Sequence, residues 1–438
     1  MQKINISTKL EEVINNINNQ KFTEALKALK LLSKEFPKDN LINKMFATVY
    51  FKTMDWNNAI KFYEKILPFE KEKFKILTNI GVAFFNLGKI LKSIESYNRA
   101  IKDNSKFDLA YSNLGISYLE VGNYEYALNN FVLAMNLNKK NFYAQKNLIT
   151  LFNLIRPNNV NDHPLIDINN EISKIGSNYQ IQDLNKIENI KKILQKSNNI
   201  IKTFDNSLFI NETQIYRKNS TNLNCKRHFR IFNKFKIIPR FCFSCYKVQI
   251  NLENIVDLIK LYFLFDNLNL ENNNIRKCIV EMRTNIKGNY KGYIYCNGLE
   301  EAEKILEKIK RKLYLAEIKN TKITIKHGCS EYYKLYPKYE KINFNGAQEM
   351  QYDQTWEKIE NIVDNQDLQR LDSDQKIWSA SNKGINLSDI LIIKNWINYA
   401  DTIGDHSYKL IYEEKIENNF MNKILKPQLD FRKEELFE

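Results

Sequence analysis

A 34-residue period in the first third constrains this chain more than any other feature. Ala25, Ala59, Ser93 and Ala127 are spaced by 34, and Leu29, Tyr63, Tyr97 and Phe131 repeat the interval four residues further on. Gly81 and Gly115 share it, as do Tyr50, Phe84, Tyr118 and Phe152. Each unit thus sets a small residue, where two helices can cross closely, among large apolar residues at helical spacing. A helix pair of this size cannot bury its apolar face alone, so stacked copies must share one continuous core. Four repeats cover roughly residues 6–140, and Asn141–Ile155 reads as a closing helix that Arg156-Pro157 stops.

These columns resemble the tetratricopeptide repeat, most clearly at Leu114-Gly115, Tyr118, Ala127, Phe131 and Ala134, although the proline that ends the family's repeat is present only as Pro37. The resemblance covers about a third of the chain. It implies an α-helical solenoid whose groove binds a protein or peptide. Asn79, Asn113 and Asn147, again 34 apart, occupy the position where some family members use an asparagine ladder on the backbone of an extended peptide. A side-chain amide suits that task because it offers a donor and an acceptor to one peptide unit. The abundance of asparagine in this chain explains the same residues without function. The family's lysine-based clamp for a C-terminal carboxylate is matched at Lys44 and Asn79 but not at Thr48 and Leu109, which disfavours a chaperone-tail adaptor.

The chain has 438 residues, 43% apolar and 27% charged, enough for two or three domains with buried cores. Its longest apolar runs, such as Ile390–Ile393, fall far short of the ~18 residues of a membrane span, and no membrane partner is expected. The opening Met-Gln-Lys-Ile-Asn-Ile lacks a charged-then-apolar leader pattern. Six cysteines in a chain this long are too few for a disulfide scaffold, so a cytoplasmic location is the default. The net charge of +15 is uneven: residues 1–157 carry 23 basic and 14 acidic side chains, 158–270 carry 16 and 10, and 271–438 carry 27 of each.

After a connector at 158–204 the period changes. Phe241–Ile250 reads as a strand, Leu252–Leu268 as a helix, and Arg276–Met282 and Lys291–Cys296 as strands around a turn. Gly298–Ile318 reads as a second helix and Thr321–Lys326 as a fourth strand. This β-α-β-β-α-β order predicts an α+β domain with a ferredoxin-like sheet of four antiparallel strands over 205–345. The remainder, 346–438, reads as helical, with one helix capped by Ser388 or Asp389 and closed by Gly404. The domains expected are therefore 1–157, 158–204 as linker, 205–345 and 346–438.

Three groups in the middle region carry chemistry. Cys225 and His228, followed by Cys242 and Cys245, have the spacing of a tetrahedral zinc site, structural because four protein ligands leave no open position. Strand residues three apart face opposite sides, so Cys242 and Cys245 can share an ion only if the chain turns between them. Buried structural thiols are the plain alternative. Cys278, Cys296 and Cys329 lie on or beside other strands, and a larger thiolate cluster remains open. From Thr213 to Leu252 there is no acidic residue and there are nine bases, among them Arg227, Arg230, Lys234, Lys236 and Arg240, interleaved with phenylalanines. Together with Tyr293 and Tyr295 in Lys291-Gly-Tyr-Ile-Tyr-Cys296, which looks like the stacking strand of RNA-recognition motifs, they make nucleic acid an alternative partner. His327 and Cys329 are candidates for a thiol and base in an enzyme acting on a captured peptide. With no phosphate loop, dinucleotide fingerprint or His-Glu zinc helix, a binding scaffold is expected ahead of an enzyme.

Overall fold

The structure, a computed structural model, describes residues 2–157, 163–177, 183, 186–204, 208, 210–217, 223, 225–283, 286–343, 348–367, 384–414 and 425–437. Its contacts divide the chain into two compact units, one built on residues 1–148 and the other on most of the described residues from Ile149 onward.

The first unit consists of helix pairs: α1 (Gln2–Asn18) with α2 (Phe22–Glu35), α3 (Asn40–Lys52) with α4 (Trp56–Ile66), α5 (Lys73–Asn86) with α6 (Ile90–Asp103), and α7 (Asp108–Glu120) with α8 (Tyr124–Leu137), followed by α9 (Phe142–Leu151). The small-residue column does what its spacing implies, since Ala25, Ala59, Ser93 and Ala127 are fully buried. Helices approach closely at the glycines. A Cβ on Gly81 would lie 2.5 Å from the Tyr97 ring, and one on Gly115 2.6 Å from the Phe131 ring. The core is shared between neighbours, as Val13, Leu29, Ile42 and Phe46 form one cluster and Ala47, Tyr63, Ile76 and Ile80 the next.

The period also appears in the backbone. Gln20, Met54, Gly88 and Gly122 end successive first helices with φ of 58°, 61°, 77° and 71°. In each, the following amide reaches back to the last turn: Lys21 to Asn16, Asp55 to Tyr50, Lys89 to Phe84 and Asn123 to Tyr118, all at 2.8–2.9 Å. This is a Schellman closure, which needs a left-handed residue and favours glycine there. Gln20 and Met54 carry a side chain at a conformation that costs about 1–2 kcal/mol, and the Met54 side chain, 70% exposed, recovers little by packing. Met54→Gly should therefore raise the stability of this unit by about 1 kcal/mol, read as a higher denaturant midpoint.

The second unit is built on a five-stranded antiparallel sheet in the order β1-β3-β4-β2-β5, where β1 is Gln214–Arg217, β2 Cys245–Leu252, β3 Arg276–Val280, β4 Tyr290–Asn297 and β5 Lys322–His327. The expected four strands are present, and β1 adds a fifth at the edge, paired to β3 with Ile215 opposite Cys278. Four residues set among asparagines are too short a signal for a strand. The strand read from Phe241 begins only at Cys245, because Arg240–Ser244 forms a 3-10 turn. Helices α13 (Ile255–Asn267) and α14 (Leu299–Leu315) follow β2 and β4. Alternation sends Gly292, Ile294 and Val248 to the face that α13 covers, where a Cβ on Gly292 would meet Leu261 at 2.3 Å. Lys247, Lys277, Tyr293 and Tyr295 point to the other face. Around this lie α10 (Pro164–Ser177), α11 (Ile187–Phe204), α12 (Cys225–Phe235), α15 (Glu357–Asp367), α16 (Leu387–Ile403) and α17 (Leu429–Phe437).

Helix α16 is central to this unit. Of its residues only Lys394, Asp401 and Thr402 escape burial. It is capped by Asn386, whose side chain takes the Asp389 amide in a reciprocal capping box, two or three residues before the caps read from sequence; Gly404 closes it at φ 93°. Trp396 Nε1 donates to the Thr213 carbonyl at 2.8 Å, fixing the chain as it enters β1. Arg217 of β1 then reaches Asp389 of α16 at 2.9 Å, the Tyr262 hydroxyl of α13 at 2.8 Å, and Asp266 of α13. All four residues are buried. Removing one member of such a set leaves an unmatched buried charge, so Asp389→Ala should destabilise the unit by about 3–5 kcal/mol in denaturant titration.

Candidate functional site

In the first unit the three asparagines lie on α5, α7 and α9, all half-buried. Asn79 Nδ2 donates to the Tyr63 hydroxyl at 3.2 Å and Asn147 Nδ2 to the Tyr143 carbonyl at 2.8 Å. Among the described residues the Asn113 side chain makes no hydrogen bond. Lys44, the matched clamp residue, is paired with Glu70 at 2.9 Å on the surface.

In the second unit the sequence-predicted metal residues are brought together, with an addition. Cys225, His228, Cys242, Cys245 and Cys329 line one small cavity with Leu223, Phe229, Phe241, Gly328, Tyr332 and Tyr339. Three local features build it. Cys225 and His228 sit on successive turns of one face of α12. The 3-10 turn supplies the bend that lets Cys242 and Cys245 face the same space; the Cys242 amide bonds the Pro239 carbonyl and the Cys245 amide the Cys242 carbonyl. Gly328, at φ 61°, turns the chain after β5, donates its amide to the Cys245 carbonyl at 2.8 Å and thereby delivers Cys329. A side chain at 328 would lie 2.2 Å from the Tyr339 hydroxyl, which itself donates to the Cys242 carbonyl at 2.7 Å.

The cavity is electrostatically unusual for a group of thiols. Burial pushes the Cys245 thiol up to about 12 and raises those of Cys242 and Cys225, with mutual repulsion adding to it. Lys247 Nζ stands 3.5 Å from Cys329 Sγ. Burial alone would depress the Lys247 ammonium, but Cys329 and Cys245 outweigh it and its pKa is raised. The Tyr332 hydroxyl lies 3.5 Å from Cys242 Sγ. Among the described residues no three His, Cys, Asp or Glu side chains already stand as a metal-ligand set. The signal that could have placed Cys329 here is Gly328 between His327 and Cys329, since a glycine at a strand end marks a turn.

The other candidates are placed differently. His327 is fully buried, with Nδ1 2.6 Å from the Tyr339 carbonyl and Nε2 3.1 Å from the Phe243 carbonyl. Both ring nitrogens are thus engaged away from Cys329. Cys278 and Cys296 lie on the sheet face turned to α13, not in the cavity. Tyr293 is only 8% exposed and Tyr295 half-buried. Their rings are approached by Lys277 at 5.1 Å and Lys247 at 5.4 Å. Lys291 is buried against Glu281 at 3.2 Å. Within the basic segment Arg227 pairs with Glu360 and Asp364, and the exposed Arg240 with Glu357. Lys234 and Lys236 lie over Phe235 and Phe232. Arg230 is half-buried. Two arginines of the acid-free stretch are therefore paired with α15, an acidic helix distant in sequence. Lys218, a further base of this stretch, lies outside the described residues.

Burial, with Lys247 and Arg283 adding repulsion, pushes the Lys277 ammonium down to about 8. Its pKa in the unfolded chain is about 10.4, so the unfolded state binds the proton more tightly, and stability is lost as pH falls from about 10.4 toward 8. Lys277→Met should raise stability at pH 7 by roughly 1–2 kcal/mol, allowing for partial exposure, and the gain should fade near pH 10 in parallel denaturant titrations.

Paired helices with a buried small-residue column and a Schellman closure at each turn define a repeat solenoid. The N-terminal third is tetratricopeptide-like, and the TPR repeat family model matches residues 81–122. Solved structures similar to part of the chain include MamA (20% identity, TM-score 0.30, covering 32% of this chain and 81% of that one). The first TPR of Spaghetti bound to an HSP90 peptide has 26% identity and a TM-score of 0.25, covering 26% of this chain and 89% of that one. The TPR2B domain of yeast Sti1 in complex with an Hsp70 peptide has 22% identity and a TM-score of 0.24, covering 26% and 91%. No curated protein matches the sequence. Among the described residues no helix is long and apolar enough to cross a membrane.

Proposed function

We propose that this protein is a cytoplasmic interaction scaffold that binds an extended polypeptide across α5, α7 and α9, with a ferredoxin-like sheet, extended by β1, as its second unit. The observation that carries this reading is the recurrence of a half-buried asparagine on successive first helices of a tetratricopeptide-like array. Packed helices are spaced by about 8–10 Å, which an extended chain covers in about three residues. The ladder thus addresses every third peptide unit. Amide-to-backbone bonding reads no side chain, so specificity comes from the surrounding surface. With Lys44 held by Glu70 and no match at Thr48 and Leu109, the C-terminal carboxylate is not the feature recognised.

The alternatives find less support. An RNA platform needs open aromatic faces and unpaired bases, whereas Tyr293 is covered and Arg227 and Arg240 are paired. A thiol–imidazole enzyme needs a base near Cys329, and His327 is held elsewhere.

The test is capture of polypeptides from the native lysate by the full chain, followed by titration of an identified peptide. Asn113→Ala and Asn147→Ala should each weaken binding about fivefold, the equivalent of one ~1 kcal/mol hydrogen bond. Amidating the peptide's C-terminus should leave affinity unchanged. Capture of no polypeptide, or affinity unaffected by the asparagine substitutions, refutes the reading.

A further inference from the structure

We propose that the open edge of β5 is a docking site for an extended acidic polypeptide, which joins the sheet as a sixth strand. β5 ends the sheet order, and among the described strands its one neighbour is β2. In an antiparallel pair, alternate residues turn both backbone groups to the partner strand and the others turn them away. The Gly328 amide bonds the Cys245 carbonyl, and these two continue the β2–β5 register, so Lys326, Thr324 and Lys322 also face β2. On the far side of β2 the Gly298 amide bonds the Ser244 carbonyl, which fixes the same alternation from the other direction. Ile323, Ile325 and His327 therefore turn their N–H and C=O outward. His327 is buried beside Tyr339. Ile323 and Ile325 are half-buried, and among the described residues no backbone hydrogen bond outside the ladder reaches them. Two donors and two acceptors thus face outward on an edge that can template one more strand.

Charge selects the occupant. Residues 271–438 are neutral in total, yet 308–326 carry seven bases and one acid, Glu317. Lys310 pairs with Glu307 at 2.7 Å and Lys326 with Glu340 at 3.6 Å. Lys308, Arg311, Lys312, Lys319 and Lys322 are exposed and form no ion pair among the described residues. The end of α14 leads through a turn directly into β5, so this charge flanks the open edge. Tyr314 and Leu315, 83% and 72% exposed, line a shallow groove there with Lys310 and Arg311. Along the edge itself, Lys322 and Lys326 lie on one face of the sheet. Ile323 and Ile325 lie on the other, which they share with Ile250 and Val248. An incoming strand meets these neighbours face by face, so the matching segment alternates acidic and apolar residues. A second copy of this chain does not fit. Pairing the two isoleucines with their counterparts would set Lys322 of each copy opposite Lys326 of the other, and like charges directly opposite are destabilising. Lysine on an edge strand guards against self-association, and an acidic strand is the occupant that it attracts. This contact lies in the second unit and is independent of the asparagine groove.

The probe is a fluorescein-labelled peptide of alternating glutamate and valine, titrated into the full-length protein by fluorescence anisotropy at low ionic strength. The expected result is saturable binding that weakens as salt is raised. It should bring new hydrogen-exchange protection at the amides of Ile323 and Ile325, with none added at Lys322, Thr324 and Lys326, which already face β2. Exchanging the probe's glutamates for lysines should abolish binding. Lys322→Glu, at an exposed side chain, should weaken it about fivefold. Ile325→Pro should abolish it and leave the β2–β5 ladder intact, because proline there removes only an outward donor. Where that variant fails to fold, the exchange pattern of the unsubstituted protein decides the same point. Absence of binding at low salt, or binding without protection at Ile323 and Ile325, overturns the site. Protection at these amides that grows with protein concentration without probe assigns the edge to a second copy and overturns the acidic partner. Tighter binding of single-stranded RNA, with no protection at the edge, assigns the bases to nucleic acid and overturns it as well.

Discussion

The second unit depends on a buried cation. Arg217 enters the core on an edge strand of four residues, too short to hold its place by ladder hydrogen bonds alone, and is fixed by Asp266, Asp389 and Tyr262. Those partners come from two different helices, so the one guanidinium sets the distance between the sheet, α13 and α16. A second buried arginine, Arg276, stands opposite Arg217 in register and donates to the Phe265 carbonyl at 2.9 Å and to Asn273 at 2.8 Å. Two arginines and two aspartates make the group neutral overall, which is the condition for burying so much charge. A buried ion network of this kind adds little net stability over an apolar core, but it penalises any arrangement in which one member is left unmatched. It therefore selects one register for β1.

The first unit uses the opposite strategy. Among the described residues no buried charge network organises it. Each helix pair repeats a small buried residue at the crossing and a left-handed residue closing the first helix, and from the second pair onward an aromatic ring takes the place that Leu29 has in the first. Stability in such an array is a sum of local terms. It tolerates Gln20 and Met54 at positions where Gly88 and Gly122 fit better, because each departure is felt only by its own repeat and the next. The later repeats follow the pattern more closely, and the family model matches at residues 81–122, where both glycine positions are filled.

On the outer face of the sheet, positive charge and sulfur were brought together by alternation. Residues 245 and 247 share a face by the period of two, as do 277 on β3 and 293 and 295 on β4. The lysines there are not a solvated basic surface. Lys247 serves thiols and an aromatic ring, and Lys277 lies between the rings of Tyr216 and Tyr293 at 5.5 and 5.1 Å. Within the acid-free run Arg217, Arg227 and Arg240 pair with acids distant in the chain. That explains why charge composition alone pointed to nucleic acid.

The repeat solenoid was legible in the sequence because its contacts are local: every column of the 34-residue period packs within one or two repeats, so periodicity is already geometry. The alternation of strands and helices after residue 240 was legible for the same reason, and Cys225, His228, Cys242 and Cys245, grouped by spacing, line one cavity. The fifth strand, the destination of the basic side chains, the burial of Tyr293 and the arrival of Cys329 beside the other thiols were not legible. Each is set by residues dozens or hundreds of positions away, such as Asp389 for Arg217, Glu360 for Arg227 and Gly328 with Tyr339 for Cys329. Sequence spacing measures distance along the chain, and only tertiary packing decides which distant side chains share a cavity.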